Sequence, residues 1–444
     1  MEAAPHKKRG LSLYSLTMLA TGQVIGAGVV TLVGASIAHT GRSAWLAYAT
    51  AVALGFSIIL SYLILSSMIR VKGGNYTFVA TLLGDRWGGL YGMAFTMNVF
   101  ACGMFALSLG NYMNSIFPNL PIKGVAIVSV TFFYIFNMLG VNFMSKIQNI
   151  LAGCLIIGLL IFVFVGMGQL QPGTFDFSTP DFFLNGSEGF LAAVALLVFS
   201  CYGHAFVVAF SKEAENAKRD IPYAMLITTG IILIIYTLIA LVDSNILPVP
   251  EVAGKPLTIV AKEIMPTPLY YAFVIGGPIM ALATTLNSSL SVFARPFHQM
   301  TRDGWFPGWL AKTNRFGAPY YILTIMFLIA VIPIALDLSI SVITSNTVLI
   351  GRISDLVAIV AILTLPTRLP DAWENRYFRM SKKTFYFLIY FSLAATIFCI
   401  YISLGNMPRS NILVTCGLAV IFFLYSVYRQ KSGKVKMEKS YELQ

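Results

Sequence analysis

Two short stretches of this sequence combine backbone freedom with polar atoms in apolar surroundings. The first is Gly22-Gln23-Val24-Ile25-Gly26-Ala27-Gly28. Glycine costs a helix roughly 1 kcal/mol relative to alanine, so the two glycines flanking Ala27 let the chain unwind. Unwound backbone frees N–H donors, and a half-helix restarting near Gly28 adds the positive end of its dipole. Both suit a carboxylate. Gly22 and Gly26 also form a GxxxG pattern, whose plainer reading is close helix packing. The second stretch is Phe199-Ser200-Cys201-Tyr202-Gly203-His204. An ionisable side chain in such surroundings is a functional candidate by default. His204 therefore lines a substrate or proton path, or it is a hydrogen-bonded interior residue. Further along, Thr284, Thr285, Ser288 and Ser289 offer hydroxyls to a hard cation, although such hydroxyls commonly bond their own helix backbone. Arg352 and Asp355 stand three residues apart, a spacing at which helical side chains meet. They read as a mutually neutralising structural pair or as a gate.

The elements that position these groups follow from composition. Of 444 residues, 57% are hydrophobic and 11% charged, against about 25% charged in a soluble protein. This excludes a soluble enzyme, a disordered chain and a nucleic-acid binder, despite the net charge of +12. The expected class is an all-α polytopic membrane protein in the lipid bilayer. Twelve segments lack charge or nearly so: 11–38, 43–69, 87–116, 124–145, 147–168, 189–211, 223–242, 266–294, 318–336, 338–366, 384–404 and 410–428. Each is long enough for a hydrocarbon core that needs roughly 20 apolar residues. With the N-terminus cytoplasmic, 24 of the Lys and Arg residues fall on the inside and five outside, with Arg352 within a span. That is the asymmetry of the positive-inside rule. Cys102, Cys154, Cys201, Cys399 and Cys416 form no CxxC pair, and no metal, cofactor or disulfide framework is expected. No HExxH or paired catalytic carboxylate appears, so no enzymatic activity is expected.

The glycine-bearing stretches fall in the first and sixth spans, five apart. Broken helices at equivalent places in two inverted halves mark the binding site of many secondary transporters. The division expected is a cytoplasmic N-terminus at 1–10, a first five-helix repeat at 11–168 and an inverted second one at 189–366. Two added helices follow at 384–428, then a basic cytoplasmic tail at 429–444.

Six motifs in order resemble the amino acid–polyamine–organocation transporter superfamily, over nearly the whole chain. Besides the two glycine stretches these are Lys72-Gly73-Gly74-Asn75-Tyr76, Asn137-Met138-Leu139-Gly140-Val141 with Lys146-Ile147-Gln148-Asn149, Glu213-Ala214-Glu215-Asn216 through Pro222, and Arg302-Asp303-Gly304 with Pro307. The amino-acid branch, similar to bacterial and L-type carriers, is the nearest match. The resemblance implies a leucine-transporter-type fold with a 5+5 inverted repeat plus two helices. It implies a substrate carboxylate on the N–H groups of Gly26, Ala27 and Gly28. The ammonium would meet carbonyls near Ala20 and Thr21 and at Phe199, Ser200 and Tyr202, with Gly203 at the break. Many sodium-independent relatives carry a lysine midway along helix 5, where this chain has Cys154 and Leu155. Sodium at Ser288 and Ser289 stays open, and sodium-independent exchange is the default.

The expected pocket holds no unpaired carboxylate for a polyamine or cationic side chain, so a neutral amino acid is the expected solute. A same-fold carrier of polyamines or cationic amino acids, or a sodium- or proton-coupled symporter, is the alternative. Relatives that join a glycoprotein subunit use a cysteine between helices 3 and 4. Phe117-Pro118-Asn119-Leu120-Pro121-Ile122-Lys123 has none, so no disulfide-linked heavy subunit is expected. A multi-pass plasma-membrane protein with both termini cytoplasmic is the implied setting.

Overall fold

The computed structural model describes residues 10–71, 74–338, 340–405, 407–437 and 441–442, with Ala27, Val71, Asn142, Phe199, Val348, Tyr441, Glu442 and residues 340–342 and 344–346 in backbone only. Lys7, Lys8, Arg9, Lys72, Gly73 and Lys439, used above for charge and motif, lie outside the described residues. The architecture is helical. The first apolar run yields α1 (Leu13–Val24), α2 (Ala27–Thr40) and, beyond a 3-10 turn at Gly41–Ser43, α3 (Ala44–Ser66). Then come α4 (Asn75–Leu83), α5 (Asp85–Met97), α6 (Ala101–Ile116), α7 (Ile122–Met138) and α8 (Val141–Met167). The next run is α9 (Gly186–Val198), which passes into 3-10 segments at Phe199–Cys201 and Gly203–Phe210, followed by α10 (Ala217–Asn245). Short α11 (Val249–Val252) and α12 (Thr258–Ile264) lead to α13 (Thr267–Val274), a π-helical step at Ile275–Ile279 and α14 (Met280–Arg302). The chain closes with α15 (Tyr320–Ala335), α16 (Ile340–Leu363), α17 (Leu365–Arg368), α18 (Pro370–Glu374), α19 (Lys382–Gly405) and α20 (Arg409–Lys431). Extended pairing among the described residues is limited to β1 (Arg70–Val71) against β2 (Tyr441–Glu442) and a single bridge between Leu11 and Ala214.

Among the described residues eight helical stretches are long and apolar enough to cross a membrane, and α7 and α15 are shorter apolar helices. One stretch, Leu13–Ser66, has 54 residues. At about 1.5 Å per residue it would be far longer than a roughly 30 Å hydrocarbon core. The turn at Gly41–Ser43 divides it. The outer faces are apolar: Phe164, Leu413, Phe387 and Ile150 are exposed. In water such faces would be a liability; against acyl chains they are the solvated surface.

The interior is where the interrupted helices meet. α1 contacts α10, α8 and α14, and α2 lies against α9. The π-helical step, with Gly276, Gly277 and Pro278, sits against Gly158 of α8. A Cβ on Gly158 would lie 2.4 Å from the Gly277 nitrogen, so only glycine allows this approach. At one end of the bundle, sequence motifs far apart meet. Tyr76 donates to Asp303 at 2.9 Å and accepts from the Trp305 indole at 2.7 Å. The Glu213–Glu215 loop exchanges backbone hydrogen bonds with Leu11 at 2.6 and 3.0 Å, and the Arg70 guanidinium donates to the Ser211 carbonyl at 2.9 Å.

Candidate functional site

Both glycine stretches interrupt their helices, in different ways. α1 ends at Val24; Ile25 and Gly26 leave helical geometry, and α2 restarts at Ala27 with Gly26 as its N-cap and no capping side chain. The first N–H groups of a helix have no acceptor within it, so those of Ala27, Gly28 and Val29 open toward the break. The Gly26 N–H closes a tight turn onto the Val24 carbonyl at 3.0 Å. The N–H groups left open at the break are therefore those of Ala27–Val29, of which Ala27 and Gly28 belong to the set expected from the sequence. The second interruption is tighter: Tyr202 separates two 3-10 segments, and its carbonyl accepts from Ala205 at 3.1 Å.

The glycines pack closely as well as interrupting. A Cβ on Gly28 would fall 1.9 Å from Ser200 Cβ, one on Gly203 2.7 Å from the Gln23 carbonyl oxygen, and one on Gly26 2.3 Å from the Thr285 hydroxyl. Each break is thus a wall of the other. The packing and unwinding readings of GxxxG are both realised, because an unwound segment inside a bundle still needs small residues to be covered.

Between the breaks lies a cavity of about 60 Å³. Taking roughly 10–15 Å³ per water on this measure, it has room for only a few water-sized groups, the bulk of a small amino acid. Gly26, Gly28, Ser200, Tyr202, Gly203, Ser289, Arg352 and Asp355, all expected at the site, line it. Ala20 and Thr21 do not appear among its lining; Thr21 is fully buried, with its hydroxyl 3.3 Å from that of Thr228 on α10. Gln23 and Val24, about a turn further along α1, occupy the wall. The Val24 and Ser200 carbonyls both accept from the Tyr236 hydroxyl, at 2.8 and 3.3 Å, and Tyr48 donates to the Gly28 carbonyl at 3.0 Å. These two tyrosines, in edge contact with ring centroids 5.5 Å apart, hold the unwound backbone in place. Neither is marked in the sequence, since a tyrosine in an apolar helix carries no signal without its partner.

His204 is fully buried but turned from the cavity. Its Nε2 lies 2.9 Å from the Thr229 hydroxyl on α10. That hydroxyl already donates to the Met225 carbonyl at 2.8 Å, so the imidazole donates through Nε2 and leaves Nδ1 an acceptor without a partner. Phe206 takes the cavity side, in an edge-to-face cluster with Phe95 and Phe293 at centroid distances of 5.3–5.7 Å. An eight-residue 3-10 segment repeats every three residues, so the residue after the glycine faces elsewhere than in an α-helix.

Arg352 and Asp355 pair at 3.1 Å within the lining. Asp355 Oδ1 also accepts from Tyr62 at 2.7 Å and from Tyr202, and the Arg352 guanidinium rests on the Tyr202 ring at 4.1 Å. The charges cancel, and the cluster ties α3, the second break and α16 together. At the hydroxyl-rich face of α14, Thr285 donates to the Gly22 carbonyl at 3.0 Å, and the single Ser288 O–H is shared between the Thr284 carbonyl, at 2.9 Å, and the Gln23 amide oxygen. Ser289 accepts from the Gln23 amide at 3.0 Å. Gln23, absent from the sequence-based set, fills the space between α1 and the two serines. Asn287 donates to Gln148 at 2.8 Å, which brings the 146–149 motif to the same place.

Two interrupted helices closing on a small cavity with a few polar groups inside an apolar bundle are the features of a secondary transporter. Residues 11–427 match the amino acid permease family, and the chain belongs to that family, within the amino acid–polyamine–organocation superfamily. It is therefore a multi-pass membrane protein. It is 24% identical to the branched-chain amino acid permease BcaP of Bacillus subtilis, over 94% of this chain and 93% of the relative. Similarity extends to the vacuolar cationic amino acid transporter 4 of Arabidopsis thaliana, at 28% over 70% of this chain and 55% of the relative. It also extends to the cadaverine/lysine antiporter of Escherichia coli, at 24% over 70% of each.

Proposed function

We propose that this permease carries neutral L-amino acids across the plasma membrane by alternating access, in sodium-independent exchange. The carrying observation is the pairing of Arg352 with Asp355 in the cavity wall. Asp355 also accepts from two tyrosines, so no carboxylate is left over for a cationic side chain. The zwitterion's carboxylate would take the N–H groups at the start of α2, and its ammonium the Val24 and Ser200 carbonyls and nearby backbone. Phe95, Phe206 and Phe293 give the side chain an apolar wall, in keeping with the naming of the Bacillus relative for branched-chain amino acids. The topology that goes with this reading is twelve spans in a 5+5 inverted repeat plus two, with both termini cytoplasmic and no disulfide-linked heavy subunit. In proteoliposomes, unlabelled alanine or valine should compete for uptake and putrescine or lysine should not. Competition by putrescine alone would reverse the assignment to the polyamine and cationic reading.

Sodium independence is supported by how the hydroxyls of α14 are used. A hard cation needs several oxygens free to converge, whereas Thr285 and Ser288 donate into the backbone and the Gln23 side chain bridges both serines. Replacing external sodium with choline should leave exchange unchanged. A steep loss, abolished by Ser288→Ala or Ser289→Ala, would place a cation there.

A further inference from the structure

Asp243 lies near the C-terminal end of α10, two turns beyond Tyr236, and it belongs to neither the cavity nor the α14 hydroxyl face. It is 1% exposed, and among the described residues neither carboxyl oxygen has a hydrogen-bond partner. We propose that Asp243 is a proton-binding site that must be occupied for α2 to close against α10, which makes transport depend on protons. The inference rests on the proposed amino acid transport for its first test only.

The surroundings support a proton rather than another cation. The titratable neighbours that feel Asp243 are Tyr48 on α3 and Tyr112 on α6. Both phenols donate to carbonyls of α2, Tyr48 to Gly28 and Tyr112 to Val30, so neither donates to Asp243. Beyond Tyr48 lie Tyr236 on α10, whose hydroxyl is spent on Val24 and Ser200, and Cys201. Of the other elements packed on this end, α2 contributes an exposed His39, and α11 an exposed Glu251. α8 meets this end through Gly166 against Val242. The 3-10 turn before α3 brings Arg42, whose carbonyl accepts from Ser244 at 3.2 Å while its guanidinium pairs with Asp181 at 2.9 Å. A carboxylate shut from water with neither donor nor cation bears its full desolvation cost, so this packing requires the neutral acid. When the helices part and water enters, the group can ionise. The same two tyrosines that lie within electrostatic reach of Asp243 grip the first residues of α2, where the substrate carboxylate is proposed to sit. Protonation and closure over the substrate are thus linked through one packed layer.

The sign follows directly. Low external pH supplies the proton and favours closure; rising pH ionises Asp243 in the open arrangement and slows closure. In proteoliposomes at fixed internal pH, wild-type alanine uptake should fall as external pH rises, by about fivefold or more across the accessible range. Asp243→Asn, which mimics the neutral acid, should give a flat profile. An Asp243→Asn profile that tracks wild type overturns the proposal, as does a sodium dependence that this substitution removes. Infrared difference spectra of the purified protein test the site without transport. A protonated carboxylic acid band should be present in wild type and lost in Asp243→Asn; its absence from wild type, or its persistence in the variant, overturns the site. If no amino acid is transported while the band behaves as expected, the proposed function fails and the proton site stands.

Discussion

The two helix interruptions differ in what holds them. At the first, α1 stops and α2 restarts, and the intervening backbone is held from outside by Tyr236 on the Val24 carbonyl and Tyr48 on that of Gly28. At the second, the chain stays wound but tightens into 3-10 turns across Tyr202. Its own side chains make the ties: Tyr202 to Asp355 and His204 to Thr229. The first break presents backbone and is positioned by others. The second presents side chains beside the Ser200 carbonyl and, apart from the Tyr236 contact to that carbonyl, positions itself. Substitutions at the first should therefore act through steric access, and those at the second through lost polar partners.

The sharpest challenge to that contrast is at the contact between them. Gly28→Ala puts a methyl where Ser200 Cβ already stands, 1.9 Å away. Uptake per inserted protein should fall by about a hundredfold or more. If the Ser200 side chain is the main obstacle, Gly28→Ala with Ser200→Gly should regain part of the activity, short of wild type because the Ser200 Cα would still lie 2.9 Å from the added methyl. Equal loss in the double variant would mean that the Ser200 backbone, rather than its side chain, is what excludes a methyl at this contact.

The second break is tested through Asp355. Asp355→Asn leaves the Arg352 guanidinium buried without a countercharge, a situation that costs on the order of 3 kcal/mol. Thermal unfolding in detergent should show a marked loss of stability. Replacing Arg352 and Asp355 together with Met and Asn should recover much of it, since the pair's own attraction largely offsets its desolvation. Tyr202→Phe, which removes one donor to a charged acceptor, should fall between wild type and Asp355→Asn.

The first break was the more legible of the two in the sequence. Glycines at close spacing in an apolar run leave few alternatives, and α1 and α2 part at Ile25 and Gly26, inside that motif. Which carbonyls face the cavity was not legible: Ala20 and Thr21 are within a turn of Gln23 and Val24, and an unwound segment has no fixed periodicity from which to count. The pairing of Arg352 with Asp355 could be read because both charges lie on one helix. Its link to Tyr62 and Tyr202 could not, because those residues are 293 and 153 positions away from Asp355. The role of Gln23 is hidden for the same reason: its partners are the serines of α14, 265 and 266 residues on. Asp243 sits at the edge of a charge-poor segment, where a carboxylate reads as a helix end, and only three-dimensional burial shows it to be enclosed.

The smallest expected effect concerns His204. Placed over the substrate, it would set side-chain preference, and His204→Phe would change which amino acids compete. The structure instead gives it to Thr229, with Phe206 on the cavity side. His204→Ala should lose stability by about 1 kcal/mol for the hydrogen bond, with a further term for the space left in a fully buried site. The competition profile should match wild type. Thr229→Val removes the same hydrogen bond from the other end. If the two groups serve only each other, the double variant should be less destabilised than the sum of the single ones, with a coupling of about 0.5 kcal/mol or more. A changed competition profile in His204→Ala, with stability untouched and no coupling to Thr229, would mean that the imidazole turns into the cavity during the transport cycle. The second break would then present side chains to the substrate as well as to its own scaffold.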